Sequence, residues 1–222
     1  MRARLASLMF GGSCFLCRGG ASELLCPSCE ADLPRLAPGR CPRCALPSPS
    51  GEACGRCIAQ PPHYDATVAA LAYAFPADAL VHALKFRGEL SLAALLAGFL
   101  SASVNSGADF VVPVPLSRER LRQRGYNQAL EIARHLGRGR PLAATCERRR
   151  DTAPQIGLPH DERRRNVKGC FTATRAFDHA VVAVVDDVMT TGATLDEMAR
   201  TLKAAGASRV VNWVVARTLL DA

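Results

Sequence analysis

From residue 61 onward the apolar positions fall into two alternating kinds of run. Short, mostly apolar stretches suit strands of a parallel sheet: Thr67 to Phe75, Phe110 to Val114, Leu142 to Cys146, Phe171 to Thr174, Ala180 to Val185, which is unbroken, and Val210 to Val215. Stretches with helical spacing lie between them. Leu80, Val81 and Leu84 mark a helix over Ala77 to Phe86, and a second covers Glu89 to Ser103. A third is capped by Ser117, carries the stripe Leu121, Ile132, Ala133 and Leu136, and ends near Gly137 and Gly139. A fourth shows Leu195, Met198, Ala199, Leu202 and Ala205. Strands alternating with helices predict a parallel α/β domain over residues 61–222.

Residues 1–60 follow neither period. Eight of the ten cysteines sit here as four C-x-x-C pairs, Cys14/Cys17, Cys26/Cys29, Cys41/Cys44 and Cys54/Cys57, with gaps of 8, 11 and 9 residues. Each pair can place two thiolates on one tetrahedral ion, so four pairs imply two structural zinc ions. The segment is rich in Gly and Pro, and metal is expected to supply its folding energy. Both sequential pairing and a crossed arrangement fit the spacing. A dithiol switch needs fewer pairs than these. Gln60-Pro61-Pro62 reads as the linker to the second domain.

The apolar core of Met1 to Cys14 is too short for a signal peptide, and serines and Asn105 interrupt the uncharged run Leu90 to Ala108. The expectation is a cytoplasmic protein without a membrane span, in which paired cysteines hold metal.

The net charge of +8 is unevenly placed. Residues 113–170 carry 14 basic and 6 acidic side chains, an excess equal to that of the whole chain. Arg118, Arg120, Arg122 and Arg124 follow the strand ending at Val114, and residues 147–168 read as a long loop containing Arg149, Gln155, Arg163 and Asn166. Such a segment fits a polyanion, either pyrophosphate or a nucleic-acid backbone.

The strand starting at Ala180 meets two acids, Asp186 and Asp187, and then Val188, Met189, Thr190, Thr191, Gly192, Ala193 and Thr194 lead into a helix. Backbone N–H groups, hydroxyls and a helix N-terminus suit an anion. Two carboxylates beside them call for a ligand that also brings hydroxyls or a metal, as a sugar phosphate does. No Walker lysine, dinucleotide fingerprint or H-E-x-x-H motif competes with this reading.

The acids with Thr-Thr-Gly-x-Thr resemble the diphosphoribose-binding motif of the type I phosphoribosyltransferases. That resemblance implies that Asp186 and Asp187 hold ribose hydroxyls and that Met189 to Thr194 wrap the 5′-phosphate. It further implies that Val114, Pro115, Leu116 and Ser117, with Arg118 and Arg124, bind pyrophosphate, with Mg2+ accompanying the ligand. The four cysteine pairs, L-K-F-R-G at 84–88, P-V-P-L-S-R-E-R-L-R-Q-R-G-Y-N-Q at 113–128, Q-x-x-L at 155–158, R-x-x-N at 163–166 and the acid motif together resemble the ComF competence family. The implied architecture is a double zinc ribbon joined to a type I phosphoribosyltransferase-like domain with a parallel sheet and flanking helices. The implied ligand is phosphoribosyl pyrophosphate, and the implied setting is natural transformation, with single-stranded DNA and DNA-uptake proteins as partners. Either a transfer reaction or a non-catalytic sensing and DNA-binding role is compatible with the family.

Overall fold

A computed structural model describes residues 12–104, 107–136, 141–143, 145–148 and 167–219. Its centre is a four-stranded parallel sheet in the order β3 (Ala66–Ala72), β8 (Arg209–Arg217), β7 (Val181–Met189), β4 (Phe110–Pro113). The two inner strands are the longest, nine residues each, and their middles are buried on both faces, as a sheet covered on both sides requires. Alternate residues of one strand feed opposite cores: Ala183 and Val185 face one side, Val182 and Val184 the other.

The first face is covered by α3 (Ala77–Phe86), α4 (Ser91–Ser103) and α6 (Gln128–Leu136), and the second by α7 (Ala193–Ala204). The sequence places most of these elements within a few residues, but three expectations need correction. The helix expected to run from Ser117 to Leu136 is two helices. Ser117 does cap α5 (Arg118–Arg124), its Oγ accepting from the Arg120 N–H at 3.3 Å, but Gly125 ends that helix in a left-handed conformation, φ 82°. Asn127 then starts α6, its Oδ1 accepting from the Ala129 N–H at 3.0 Å. Leu121 is consequently 43% exposed rather than part of the core stripe.

Second, Leu142 makes an isolated bridge to Val111, while β5 (Cys146–Arg148) and β6 (Phe171–Ala173) pair with each other as a separate antiparallel two-stranded sheet. Third, β7 does not stop at the acids. Its ladder with β8 continues to Met189 opposite Arg217, so Asp186 and Asp187 are strand residues held by the sheet.

The cysteine segment contains two copies of one unit. In each, the first cysteine's carbonyl accepts from the residue four positions on, Arg18 or Ala45, and both of those residues have positive φ. The third cysteine donates its N–H to the first one's Sγ at 3.3 Å, Cys26 to Cys14 and Cys54 to Cys41. A short helix then carries the fourth cysteine: α1 (Pro27–Ala31) in the first unit, α2 (Gly55–Ala59) in the second. The first unit also has a small hairpin of β1 (Gly12–Ser13) and β2 (Gly20–Ala21). Cys14 joins one core of the large domain, and Cys41, Cys44 and Cys57 join the other. The chain leading from the first unit into the second meets the outer edge of β3, where Ala72 and Thr67 donate their N–H groups to the carbonyls of Pro34 (2.8 Å) and Pro42 (3.0 Å).

Candidate functional site

The metal sites follow from those units. Sγ atoms of Cys14, Cys17, Cys26 and Cys29 lie within 4.8 Å of one another, and so do those of Cys41, Cys44, Cys54 and Cys57. Pairing is therefore sequential, first pair with second and third with fourth. A tetrahedral ion with bonds of about 2.3 Å spaces its sulfurs about 3.8 Å apart; Cys17 and Cys26 are 3.8 Å apart, and Cys44 and Cys54 3.6 Å. Backbone N–H groups of Cys17 and Cys26 hold the Cys14 thiol down at about 6, so one thiolate forms readily. Hydrogen bonding to Cys26 and burial push Cys29 up to about 12, because a crowded thiol resists ionising beside its neighbours without a cation among them. Both four-cysteine sites fit structural zinc ions.

The second site lies at the carboxyl end of β7. Strand alternation turns Asp187 toward α3, where its Oδ2 meets the Lys85 ammonium at 2.6 Å. Burial alone would raise the Asp187 pKa, but the Lys85 charge and hydrogen bond hold it below the ordinary carboxylate range. Asp186 is half-buried and takes the Asp187 N–H on its Oδ1 at 2.9 Å. Burial and the adjacent Asp187 charge raise its pKa well above the ordinary value. The pair thus holds one firmly ionised carboxylate beside one poised to share a proton or accept hydroxyls.

Next, Gly192 sits at φ 85° and caps α7 without a side-chain hydrogen bond. A Cβ there would stand 2.7 Å from Met189 Cε and 3.1 Å from the Tyr64 hydroxyl, and the left-handed backbone strains any residue other than glycine. Met189 is itself buried beneath the loop, and its carbonyl accepts from the Thr218 N–H at 3.0 Å and from the Arg217 guanidinium at 2.9 Å. Ala193 is buried and gives its N–H to Thr191 Oγ1 at 3.3 Å. Thr190, Thr191 and Thr194 are half-buried at the opening.

Across from this loop, Val114 and Ser117 are buried, Pro115 and Leu116 half-buried, and Arg118 exposed. Asn127 Nδ2 donates to the Val114 carbonyl at 3.0 Å and so ties the turn to the start of α6. Arg124 is half-buried, donates to Gln128 Oε1, and feels the charges of Asp187 and Asp186. Its guanidinium lies 5.1 Å from the Phe86 ring centroid. Arg149, Gln155, Arg163 and Asn166 lie outside the described residues.

Two side chains at this site have no role in the sequence reading beyond membership of a motif or none at all. Lys85 lies in L-K-F-R-G, and the signal available was a lone lysine on an apolar helix. Arg217 ends the run V-V-N-W-V-V-A and is fully buried, a charge at the end of an apolar strand.

A family model described as a double zinc ribbon domain matches residues 5–58. Over 223 aligned residues the chain is 35% identical to the DNA utilization protein YhgH of Salmonella typhimurium, across 94% of this chain and 98% of that protein. It is 30% identical to Competence protein F of Haemophilus influenzae, with the same coverage of each. The chain belongs to the ComF family of competence proteins. Competence protein ComFC of Bacillus subtilis is 28% identical, across 86% of this chain and 82% of its own. Among solved structures, the allosteric regulatory enzyme of purine biosynthesis overlaps 57% of this ComF chain and 26% of its own, at 22% identity and TM-score 0.39. A purine phosphoribosyltransferase from Pyrococcus horikoshii overlaps 68% and 88%, at 18% identity and TM-score 0.29. No helix among the described residues of this ComF protein is long and apolar enough to cross a membrane.

Proposed function

We propose that this protein binds phosphoribosyl pyrophosphate at the end of β7 and works in the cytoplasm with single-stranded DNA during DNA uptake. The observation that carries the first part is one local arrangement: the sheet holds Asp186 and Asp187 beside the left-handed Gly192 loop. In this reading the 5′-phosphate takes the N–H groups and hydroxyls of Thr190 to Thr194. The ribose hydroxyls donate to Asp186 and Asp187. The pyrophosphate lies along Val114 to Ser117, with Arg118 and Arg124 offering charge-assisted hydrogen bonds. Mg2+ suits the hard oxygens of both acids and would neutralise charge on the pyrophosphate. Lys85 keeps Asp187 ionised and fixed, so the ribose meets an acceptor that needs no reorganisation.

If transfer occurs, an acceptor attacks the ribose C1, the C1–O bond to pyrophosphate breaks, and the electron pair leaves with pyrophosphate. The non-catalytic reading keeps the same pose and stops at binding. Calorimetry with phosphoribosyl pyrophosphate, with and without Mg2+, tests the site: wild type binds and Asp187→Asn does not. Equal binding by both refutes it. Pyrophosphate release with a panel of bases, nucleosides and single-stranded DNA then separates transfer from sensing.

The DNA part is favoured by a file of aromatic and cationic side chains beside this site. Arg124 lies over Phe86, and Phe86 packs on His82 with centroids 4.7 Å apart. A cavity of about 800 Å³ follows, lined by His82, Arg87, Tyr73, Phe75, Phe15 and Arg18. Phe75 is 79% and Phe86 59% exposed, so both rings are accessible for stacking. Alternating rings and guanidinium groups suit unpaired bases and their backbone. Phe75→Ala with Phe86→Ala should weaken single-stranded DNA binding by roughly tenfold or more at about 1–3 kcal/mol per stacked base. Unchanged affinity would refute this placement.

A further inference from the structure

Arg217 is fully buried, and among the described residues no carboxylate pairs with it. Its donors reach two places that are distant in sequence. Nε donates to the Cys44 carbonyl at 2.8 Å, inside the second cysteine site. Nη1 donates to the carbonyls of Met189 (2.9 Å), Thr190 and Thr218 (2.7 Å), the first two being the entry to the ribose-phosphate loop. A second strut runs in parallel. Arg56, beside Cys57 on α2, donates Nη2 to the Thr191 carbonyl at 2.8 Å. Between them the Tyr64 hydroxyl closes on Gly192, and the His63 N–H bonds Asp196 Oδ1 at 2.6 Å in the first turn of α7. Three consecutive loop carbonyls, of Met189, Thr190 and Thr191, are thus held by two arginines anchored at the second cysteine site.

Charge gives this contact a direction. Four thiolates outweigh one divalent ion, so a filled four-cysteine site is a buried anion. Such an anion, one of whose ligands already takes the Arg217 Nε on its carbonyl, would offset part of the cost of burying the guanidinium. The first cysteine site makes no such contact with the loop among the described residues.

We propose that Arg217 and Arg56 are positioning residues that make the second cysteine site a structural part of the ribose-phosphate loop. Metal held by Cys41, Cys44, Cys54 and Cys57 sets the backbone of Met189 to Thr191, and metal at the first site does not. The functional meaning of the coupling rests on the ribose-phosphate reading given above, but its geometry does not.

Amide hydrogen exchange on the full-length, zinc-loaded chain, without ligand, tests it at residues 190–194. Cys54→Ser should lose one zinc and speed exchange there by roughly tenfold or more, since charged hydrogen bonds to the loop are released. Cys17→Ser should lose the other zinc and leave those amides within about twofold of wild type. Arg217→Lys keeps the charge but loses the fork, and Arg56→Gln removes the outer strut; both should keep two zinc ions and still loosen the loop. If Cys54→Ser does not fold, these two variants decide. Wild-type exchange at 190–194 in Arg217→Lys and Arg56→Gln, or in a folded Cys54→Ser, overturns the proposal. So does equal loosening by Cys17→Ser. Calorimetry on wild type separates the two readings: no binding of phosphoribosyl pyrophosphate would sink the ligand assignment while the exchange result still stands.

Discussion

Replacing Lys85 by Met tests how the acid pair is held. The substitution keeps an unbranched stem and removes the ammonium. Solvent screens the pair little, because the Asp187 side chain is 3% exposed and that of Lys85 21%. Removing one partner of a buried pair costs about 3–5 kcal/mol. At about 2–4 °C per kcal/mol for a chain of this size, Tm should fall by roughly 6–20 °C at pH 7.5. The pH dependence is more telling. In wild type the depressed Asp187 pKa contributes stability that is present above the ordinary carboxylate value and is lost as pH falls through the folded one. In Lys85→Met, burial raises the Asp187 pKa instead, so the variant gains stability as pH falls toward 5. Thermal unfolding followed by circular dichroism should therefore show the gap to wild type narrowing on acidification. Lys85→Met with Asp187→Asn should recover much of the lost Tm, because no buried charge is left unpaired. A drop under about 2 °C, unchanged between pH 5 and 7.5, would mean an ordinary exposed pair and would refute the argument.

Asp186 has the opposite sign. Its raised pKa costs stability at neutral pH, so Asp186→Asn should raise Tm at pH 7.5, lose that gain near pH 4, and weaken ligand binding; calorimetry and unfolding curves check both halves. Gly192→Ala must adopt φ 85° against Met189 Cε and should cost about 1–3 kcal/mol, with binding of phosphoribosyl pyrophosphate reduced well beyond that loss of stability. Native mass spectrometry should find two zinc ions per chain. Sequential pairing predicts that Cys17→Ser and Cys29→Ser remove the same ion and that the double variant still keeps one.

Strand β7, its acids and the following helix were legible because an unbroken apolar run, paired acids and a glycine between threonines each leave a local mark. So were the metal ligands, since spacing alone defines a knuckle. Which knuckles share an ion depends on three-dimensional closure that gaps of 8, 11 and 9 residues do not encode. The break at Gly125 was missed because Leu121 and Ile132 happen to share a helical phase across it. A left-handed glycine cap between helical stretches was the overlooked sign. Lys85 and Arg217 act through partners 102 and 173 residues away in sequence, Asp187 and Cys44, and no local pattern announces such contacts.

The carbonyls of Pro34 and Pro42 along β3 carry a practical consequence. They take the outward N–H groups of Ala72 and Thr67, and the prolines have no N–H groups of their own to donate to another strand in turn. The cysteine segment therefore seals the last free edge of the β3 side of the sheet. A fragment beginning at residue 61 would present that edge bare, together with apolar surface from both cores. It should self-associate through edge-to-edge strand pairing instead of behaving as a monomeric domain.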